Sequence, residues 1–276
     1  MRLDLLTDRR YGDAGTADIH GTAAVPSDER RSFRMIGVHD VGGFHYPGPI
    51  DTVDEAVFHD DWEGRTMAML LVVGPQGSWS LDEFRYEIEL MPPAEYLQTA
   101  YYVHWLESLE KLCVREGWFS SEELSQRQAM VRRGEPLPEP PEPDPDKAKA
   151  QSEAAWRIAY HGVGQRRPDL PRSFKIGDRV RARQRSHAGH TRLPRFAWNK
   201  PGVICGYSGT HPLPDTIYNR RGDNPEPVFA VRFEGVDLWG DGAEPGTSLT
   251  IDLWQSYMDH DNSGSDVERD EKEARG

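Results

Sequence analysis

From residue 81 onward, apolar positions recur at helical spacing. Leu81, Phe84 and Ile88 follow Ser80 and Glu83, a serine and glutamate three apart that can cap each other's backbone where a helix begins. Pro92-Pro93 ends this short helix, because proline supplies no amide for the next turn. A longer helix is predicted from about Pro93 to Glu116, with Tyr101, Trp105, Leu109 and Leu112 on one stripe, a Glu107 to Lys111 pair outside and Gly117 as its stop. Ser120 and Glu123 repeat the capping signature before a third helix reaching about Arg133. Upstream, Trp62 and the run Met67 to Val73 predict a buried helix ended by Gly74-Pro75.

After the helical stretch the pattern changes. "EPLPEPPEPDPD", Glu135 to Asp146, is half proline with every charge negative, which favours an extended spacer over helix or sheet. A helical stretch around Ala150 to Tyr160 follows. Then "FKIGDRVRARQ", "GVICGY", "VFAVRFEGV" and "SLTIDLW" alternate or cluster β-forming residues between glycines and prolines, the pattern of a small β-barrel. At the start, residues 1 to 34 are polar and lack apolar periodicity, so a disordered tail is expected there. Met35 opens the first stretch with folded character, and "MIGVHDVGGFHYPGPI" suits an extended arm with turns. The expected organisation is α+β: a tail over 1–34, an arm and helical domain over 35–134, a linker over 135–147, a helix and connector over 148–172, a barrel over 173–260 and a disordered acidic tail over 261–276.

Charge narrows the partners. With 33 Lys+Arg against 46 Asp+Glu the formal charge is −13, and no unbroken basic run offers phosphates a landing place, so nucleic acid is set aside. No stretch approaches the roughly 18 to 20 apolar residues that span a bilayer, and "MRLDLLTDRR" lacks a secretory apolar region, so no membrane partner is expected and the cytoplasm is the expected compartment. Cys113 and Cys205 are too few and too far apart for a disulfide framework or a four-thiolate zinc site, and suit free thiols in a reducing compartment.

The candidate chemistry is sparse. Arg85 has Glu89 one turn further along the helix, where the two can pair; a surface ion pair is one reading and a planar fork of donors for an oxyanion is the other. Arg192, in "GHTRLPRF", is either a solvated loop arginine or a second such donor, in a loop of the kind where binding residues concentrate. His39, His45, His59, His104, His187 and His190 show no HxxxH or HExxH spacing, so no metal site is expected within this chain alone. Tyr101 and Trp105 share a helical face that by itself suits core packing. There is no nucleophile elbow, phosphate loop or dinucleotide fingerprint.

Taken in order, "GVHDVGGFHYPGPI", "DWEGRT", "DEFRYEIELMPPAEYL", "YYVHWLESLEKL", "FKIGDRVRAR", "GHTRLPRF", "NKPG", "VRFEGVDLWGD" and "IDLWQSYM" resemble the β subunit of nitrile hydratase from Met35 to Asp259. That resemblance implies an α subunit partner, in a heterodimer or heterotetramer. It also implies a low-spin cobalt or iron ion held by the cysteine cluster of that partner, two of whose thiolates are oxidised. Two β arginines hydrogen-bond the oxidised cysteines in this family, and Arg85 and Arg192 match their positions. Leu81, Phe84, Tyr101 and Trp105 become expected lining of a pocket for a small nitrile, with Glu89, Tyr102 and His104 as hydrogen-bond support. The implied reaction is hydration of R-C≡N to R-CO-NH2, and the implied fold of the C-terminal part is an SH3-like barrel.

Residues 1 to 34 have no counterpart in the family pattern, Val103 and "QSYM" depart from its usual residues, and none of these touches the two arginines. "EGRT", "YYVHWL", "GHTR" and "VDLWGD" are closer to cobalt-type than to iron-type β subunits. Two alternatives share the resemblance: a thiocyanate hydrolase-like subunit, which splits this region into two chains, and a metallochaperone activator resembling only the N-terminal half. A single chain carrying both halves, with Arg192, favours the hydratase over either.

Overall fold

Ser80 begins a helix as its spacing to Glu83 predicts. The Glu83 amide donates to Ser80 Oγ at 3.1 Å, and the Ser80 amide donates back to Glu83 Oε2 at 2.7 Å. The computed structural model describes residues 37–42, 53, 56–161, 166–184 and 189–262. The expected tail over 1–34, most of the arm and all but the first two residues of the acidic tail lie outside them.

Among the described residues, six helices form the first half: α1 (Asp61–Val73), α2 (Leu81–Glu89), α3 (Pro93–Gln98), α4 (Tyr101–Arg115), α5 (Ser121–Arg132) and α6 (Pro145–His161). The single long helix expected from Pro93 is two. Thr99 and Ala100 turn extended, with ψ of 153° and 154°, and the Thr99 hydroxyl takes the Glu95 carbonyl at 2.7 Å. That local bond offers the chain an alternative to continuing the helix. Gly117 ends α4 at φ +73°, with the Trp118 amide donating to Cys113 O and the Gly117 amide to Val114 O, both at 3.0 Å. α6 starts at Pro145, inside the proline-rich stretch. A proline in the first helical position needs no amide, and Asp144 Oδ1 caps the next two, from Asp146 at 3.0 Å and Lys147 at 3.2 Å.

Trp79, Phe84, Leu109, Leu112 and Cys113 form the helical core, with Leu70, Val73, Leu81, Ile88, Trp105 and Phe119 packed on it. α1 is not the buried helix its sequence suggests, since Met69 and Val72 are about two-fifths exposed. Its apolar run wraps further round the helix than α4 and α6, which pack on it, can cover.

The second half is an antiparallel sheet of β1 (Arg179–Ala182), β2 (Pro201–His211), β3 (Glu226–Glu234), β4 (Ser248–Trp254) and β5 (Met258–His260), in the order β4-β3-β2-β1-β5. Helices followed by antiparallel strands make the chain α+β. Among the described residues the end strands β4 and β5 are not paired with each other, so the sheet is not closed. Register shifts between Ile204 and Gly206 and between Tyr207 and Gly209 bend β2 against β3. Val180, Ala182, Ile204, Phe229, Val231, Phe233, Leu253, Tyr257 and Met258 fill the concave side and are essentially inaccessible. Two short helices, α7 (Pro214–Ile217) and α8 (Gly235–Trp239), sit in the connections either side of β3. The "GV" expected to extend β3 instead starts α8, where the Gly235 amide donates to Thr247 O at 2.7 Å.

The two halves meet along α2. Arg220, at φ +60°, donates to Glu83 Oε1 at 2.9 Å and to Ser78 Oγ and Glu116 Oε1 at 3.3 Å each. Glu83 also takes Arg115 at 3.0 Å. Beside this clasp the rings of Tyr86 and Tyr218 meet edge to face, 4.6 Å apart. α2 is therefore fixed against the segment that follows α7, between β2 and β3.

Candidate functional site

Asp82, Arg85 and Glu89 fall on one face of α2 because they are three and four residues apart. The loop between β1 and β2 brings His190 against that face, fully buried, with Nε2 3.3 Å from Asp82 Oδ1 and Nδ1 2.7 Å from Glu89 Oε1. Both nitrogens face carboxylates, an arrangement that only the doubly protonated ring satisfies by donation. Burial opposes the charge, yet the hydrogen bonds to Asp82 and Glu89, with their negative charges, raise the His190 pKa above its ordinary value. Burial likewise favours a neutral Asp82, but donation from His190 and then Arg85 outweighs it and holds that carboxyl below the usual range. His39, from the N-terminal segment, places Nε2 3.6 Å from Glu89 Oε1.

The ion pair expected between Arg85 and Glu89 does not form. Arg85 turns back one turn to donate to Asp82 Oδ1 at 2.8 Å, while His190 lies against Glu89 Oε1. Two residues beyond His190, the Arg192 guanidinium has no hydrogen-bond or carboxylate partner among the described residues, and it is open to solvent on one side. Desolvation by the surrounding protein and then the positive charge of Arg85 depress its pKa, with Asp82 and Glu89 opposing. The fold thus sets two arginines, one from each half, within electrostatic reach of each other.

The Arg192 amide donates to the hydroxyl of Tyr257 at 3.3 Å, as does the Thr191 hydroxyl at the same distance. Tyr257 in turn donates to Asp215 Oδ2. Asp40 braces the far end of the loop, accepting from the Arg195 amide at 3.4 Å.

The N-terminal domain model of the nitrile hydratase beta subunit matches residues 35–154, and the C-terminal domain model matches residues 164–260. The chain belongs to the nitrile hydratase beta subunit family. Nitrile hydratase is a hydro-lyase that acts as an alpha–beta complex, and this chain is of the beta kind. It is 38% identical to the cobalt-containing nitrile hydratase subunit beta of Pseudonocardia thermophila, over 82% of this chain and 96% of that one. It is 33% identical to the low-molecular weight cobalt-containing nitrile hydratase subunit beta of Rhodococcus rhodochrous, over 81% and 99%. A thiocyanate hydrolase chain from Thiobacillus thioparus covers 44% of this chain and 100% of its own length at 18% identity and a TM-score of 0.32, too weak a likeness to bear on function.

In this beta subunit the remaining candidate residues form an aromatic shelf. Phe84 is buried in the helical core and meets Trp105 edge to face at 5.8 Å, with Leu81 half-buried beside it. Trp105 is 5.4 Å from both Tyr101 and Tyr102, and Tyr101 is 62% exposed, so the shelf runs from core to solvent. Tyr102 is tied to Phe58 at 5.6 Å. His104 is buried and stacked on Tyr96 at 4.7 Å. Asp82, His190, Asp215 and Tyr257 were not singled out by the sequence. His190 shares the block "GHTRLPRF" with Arg192, but metal-ligand spacings along a chain say nothing of ion pairs.

Proposed function

We propose that Arg85 and Arg192 hold the reactive centre of a nitrile-hydrating enzyme by donating to negatively charged oxygens of oxidised cysteines on an alpha subunit. One observation carries this reading: the Arg192 side chain, exposed in this chain and near Arg85 of the other half, has no hydrogen-bond or carboxylate partner among the described residues. Arg85 already has Asp82 against it, whereas Arg192 has no such pair, so a further anion would complete the arrangement. A planar guanidinium meets such an oxyanion with two parallel hydrogen bonds, which a lysine cannot do.

The donor set suits that partner. Among the described residues no group of three or more His, Cys, Asp or Glu is placed to hold a metal ion, whereas the arginine pair suits the oxidised ligands of a metal held elsewhere. Cobalt, named in two relatives, would polarise the nitrile or activate the attacking oxygen from its seat on the alpha subunit. This chain's part is to fix the anionic oxygens, exclude water and shape the pocket. Leu81, Phe84, Tyr101 and Trp105 would line it, and Glu89, Tyr102 and His104 would support it. The exposed end of the shelf at Tyr101 supports that assignment.

The sheet is read as an SH3-like barrel, a reading supported by the two bulges that bend β2. A heterodimer or heterotetramer in the cytoplasm suits the free thiols of Cys113 and Cys205. The test is co-expression with an alpha subunit and measurement of amide formed from a nitrile, for the wild type and for Arg85→Lys and Arg192→Lys. Each substitution is expected to lower turnover about tenfold or more while assembly persists. Wild-type turnover in either variant, at unchanged metal content, would remove that arginine from the site.

A further inference from the structure

The side chain of Arg192 has no anchor of its own among the described residues, so its direction is set by its backbone. The loop that carries it is not part of the sheet ladder. Three segments instead converge on one hydroxyl. Tyr257 lies in the short turn between β4 and β5, its ring sealed in the sheet core at 0% exposure. Its oxygen accepts from the Arg192 amide and the Thr191 hydroxyl, both at 3.3 Å, and its proton goes to Asp215 Oδ2 on α7. The Thr191 hydroxyl also lies 3.4 Å from Asp215 Oδ2, so Thr191, Asp215 and Tyr257 form one hydrogen-bonded group against the Arg192 amide. Thr191 Oγ1 continues the chain by accepting from the Leu193 amide at 3.3 Å. Two successive amides of the loop are thus fixed, one directly and one through Thr191, to a group that packing does not allow to move.

We infer that Tyr257 is a positioning residue of the nitrile-hydrating centre: its hydroxyl, oriented by Asp215, holds the backbone at Arg192 and thereby aims that guanidinium at the alpha subunit. This rests on the assignment of Arg192 given above. Burial, and then the negative charge of Asp215, push the Tyr257 pKa up, so the hydroxyl keeps its proton and the donation to Asp215 persists across the working pH range. The ring alone would serve packing equally well in phenylalanine. The hydroxyl is what links the sheet core to the loop.

The test uses the co-expressed alpha–beta complex with Tyr257→Phe, Arg192→Lys and the double variant, and reads kcat, KM and melting temperature. Amide hydrogen exchange of the 189–194 segment is followed in the full chain. Tyr257→Phe is expected to lower kcat about tenfold with KM within about twofold, and to speed exchange at Arg192. The double variant is expected to be no slower than Arg192→Lys alone, because both changes act through one guanidinium. Wild-type kcat in an assembled Tyr257→Phe complex, or multiplying losses in the double variant, overturns the inference while leaving Arg192 in the site. Wild-type turnover of Arg192→Lys removes the arginine itself, and the positioning role falls with it. Should Tyr257→Phe not assemble, Asp215→Asn replaces it: slower turnover with faster exchange at Arg192 supports the inference, and no change in either overturns it.

Discussion

His190 Nδ1 lies 2.7 Å from Glu89 Oε1 across the junction of the two halves, although the residues are 101 positions apart. With Asp82 on its other nitrogen, the buried imidazole joins α2, which carries Arg85, to the loop that carries Arg192. Its charge therefore bears on both stability and site geometry.

Stability is expected to depend on pH at both ends. The His190 pKa is raised from 6.5, so its contribution is complete below that value and is lost as pH rises through the higher folded value. The Asp82 pKa is lowered from 3.8, so its contribution is present above that value and is lost as pH falls through the lower folded one. Melting temperature should be highest between about 4 and 6.5, and His190→Ala should flatten the alkaline limb. That variant takes the shared buried donor from Asp82, which keeps Arg85, and from Glu89, and is expected to cost about 3 kcal/mol, read from denaturant unfolding.

Gly189 is the backbone hinge of the same junction. Its φ is +123°, and a Cβ there would stand 1.9 Å from the Tyr218 hydroxyl. Gly189→Ala must displace either the loop or Tyr218, which packs on Tyr86. A loss of about 1–3 kcal/mol is expected, together with reduced turnover in the complex. A variant with both properties of the wild type would show that the loop tolerates displacement.

Arg220 is expected to matter through Glu83 more than through its own charge. The guanidinium is more than half exposed, so solvent screens it, but Glu83 is only 5% exposed and loses one of its two arginines in Arg220→Ala. The melting temperature should fall by about 2–4 °C. Arg133→Ala, which breaks an exposed local pair with Glu135, serves as the control and should leave it unchanged.

Phe84 and Tyr101 mark the buried and the exposed ends of the aromatic shelf. Phe84→Ala, at a 3% exposed core position, should cost about 3–5 kcal/mol. Tyr101→Ala, at 62% exposure, should leave unfolding nearly unchanged and alter KM among nitriles of different size. Equal KM values for small and aromatic nitriles in Tyr101→Ala and in the wild type would exclude it from the lining.

Signals that act within a few residues were legible in the sequence. The Ser80 and Glu83 capping pair, the Gly117 stop, the proline break after α2 and the alternation in β3 and β4 each depend on neighbours one turn or one strand away, and each stands where its pattern placed it. The break at Thr99 was hidden because a threonine hydroxyl can bond its own helix or end it. The arginines were found by resemblance, since no local pattern distinguishes Arg192 from any loop arginine. Tertiary structure alone decided what surrounds them. Arg85 pairs with Asp82, while Glu89, the carboxylate that helical spacing had offered, meets His190 from 101 residues away. Tyr257, 65 residues past Arg192, reaches its amide only because the sheet folds the turn after β4 under the loop. Short-range rules determine where helices and strands begin; which charges share a buried junction depends on contacts that form only when the halves close, and no spacing along the chain encodes them.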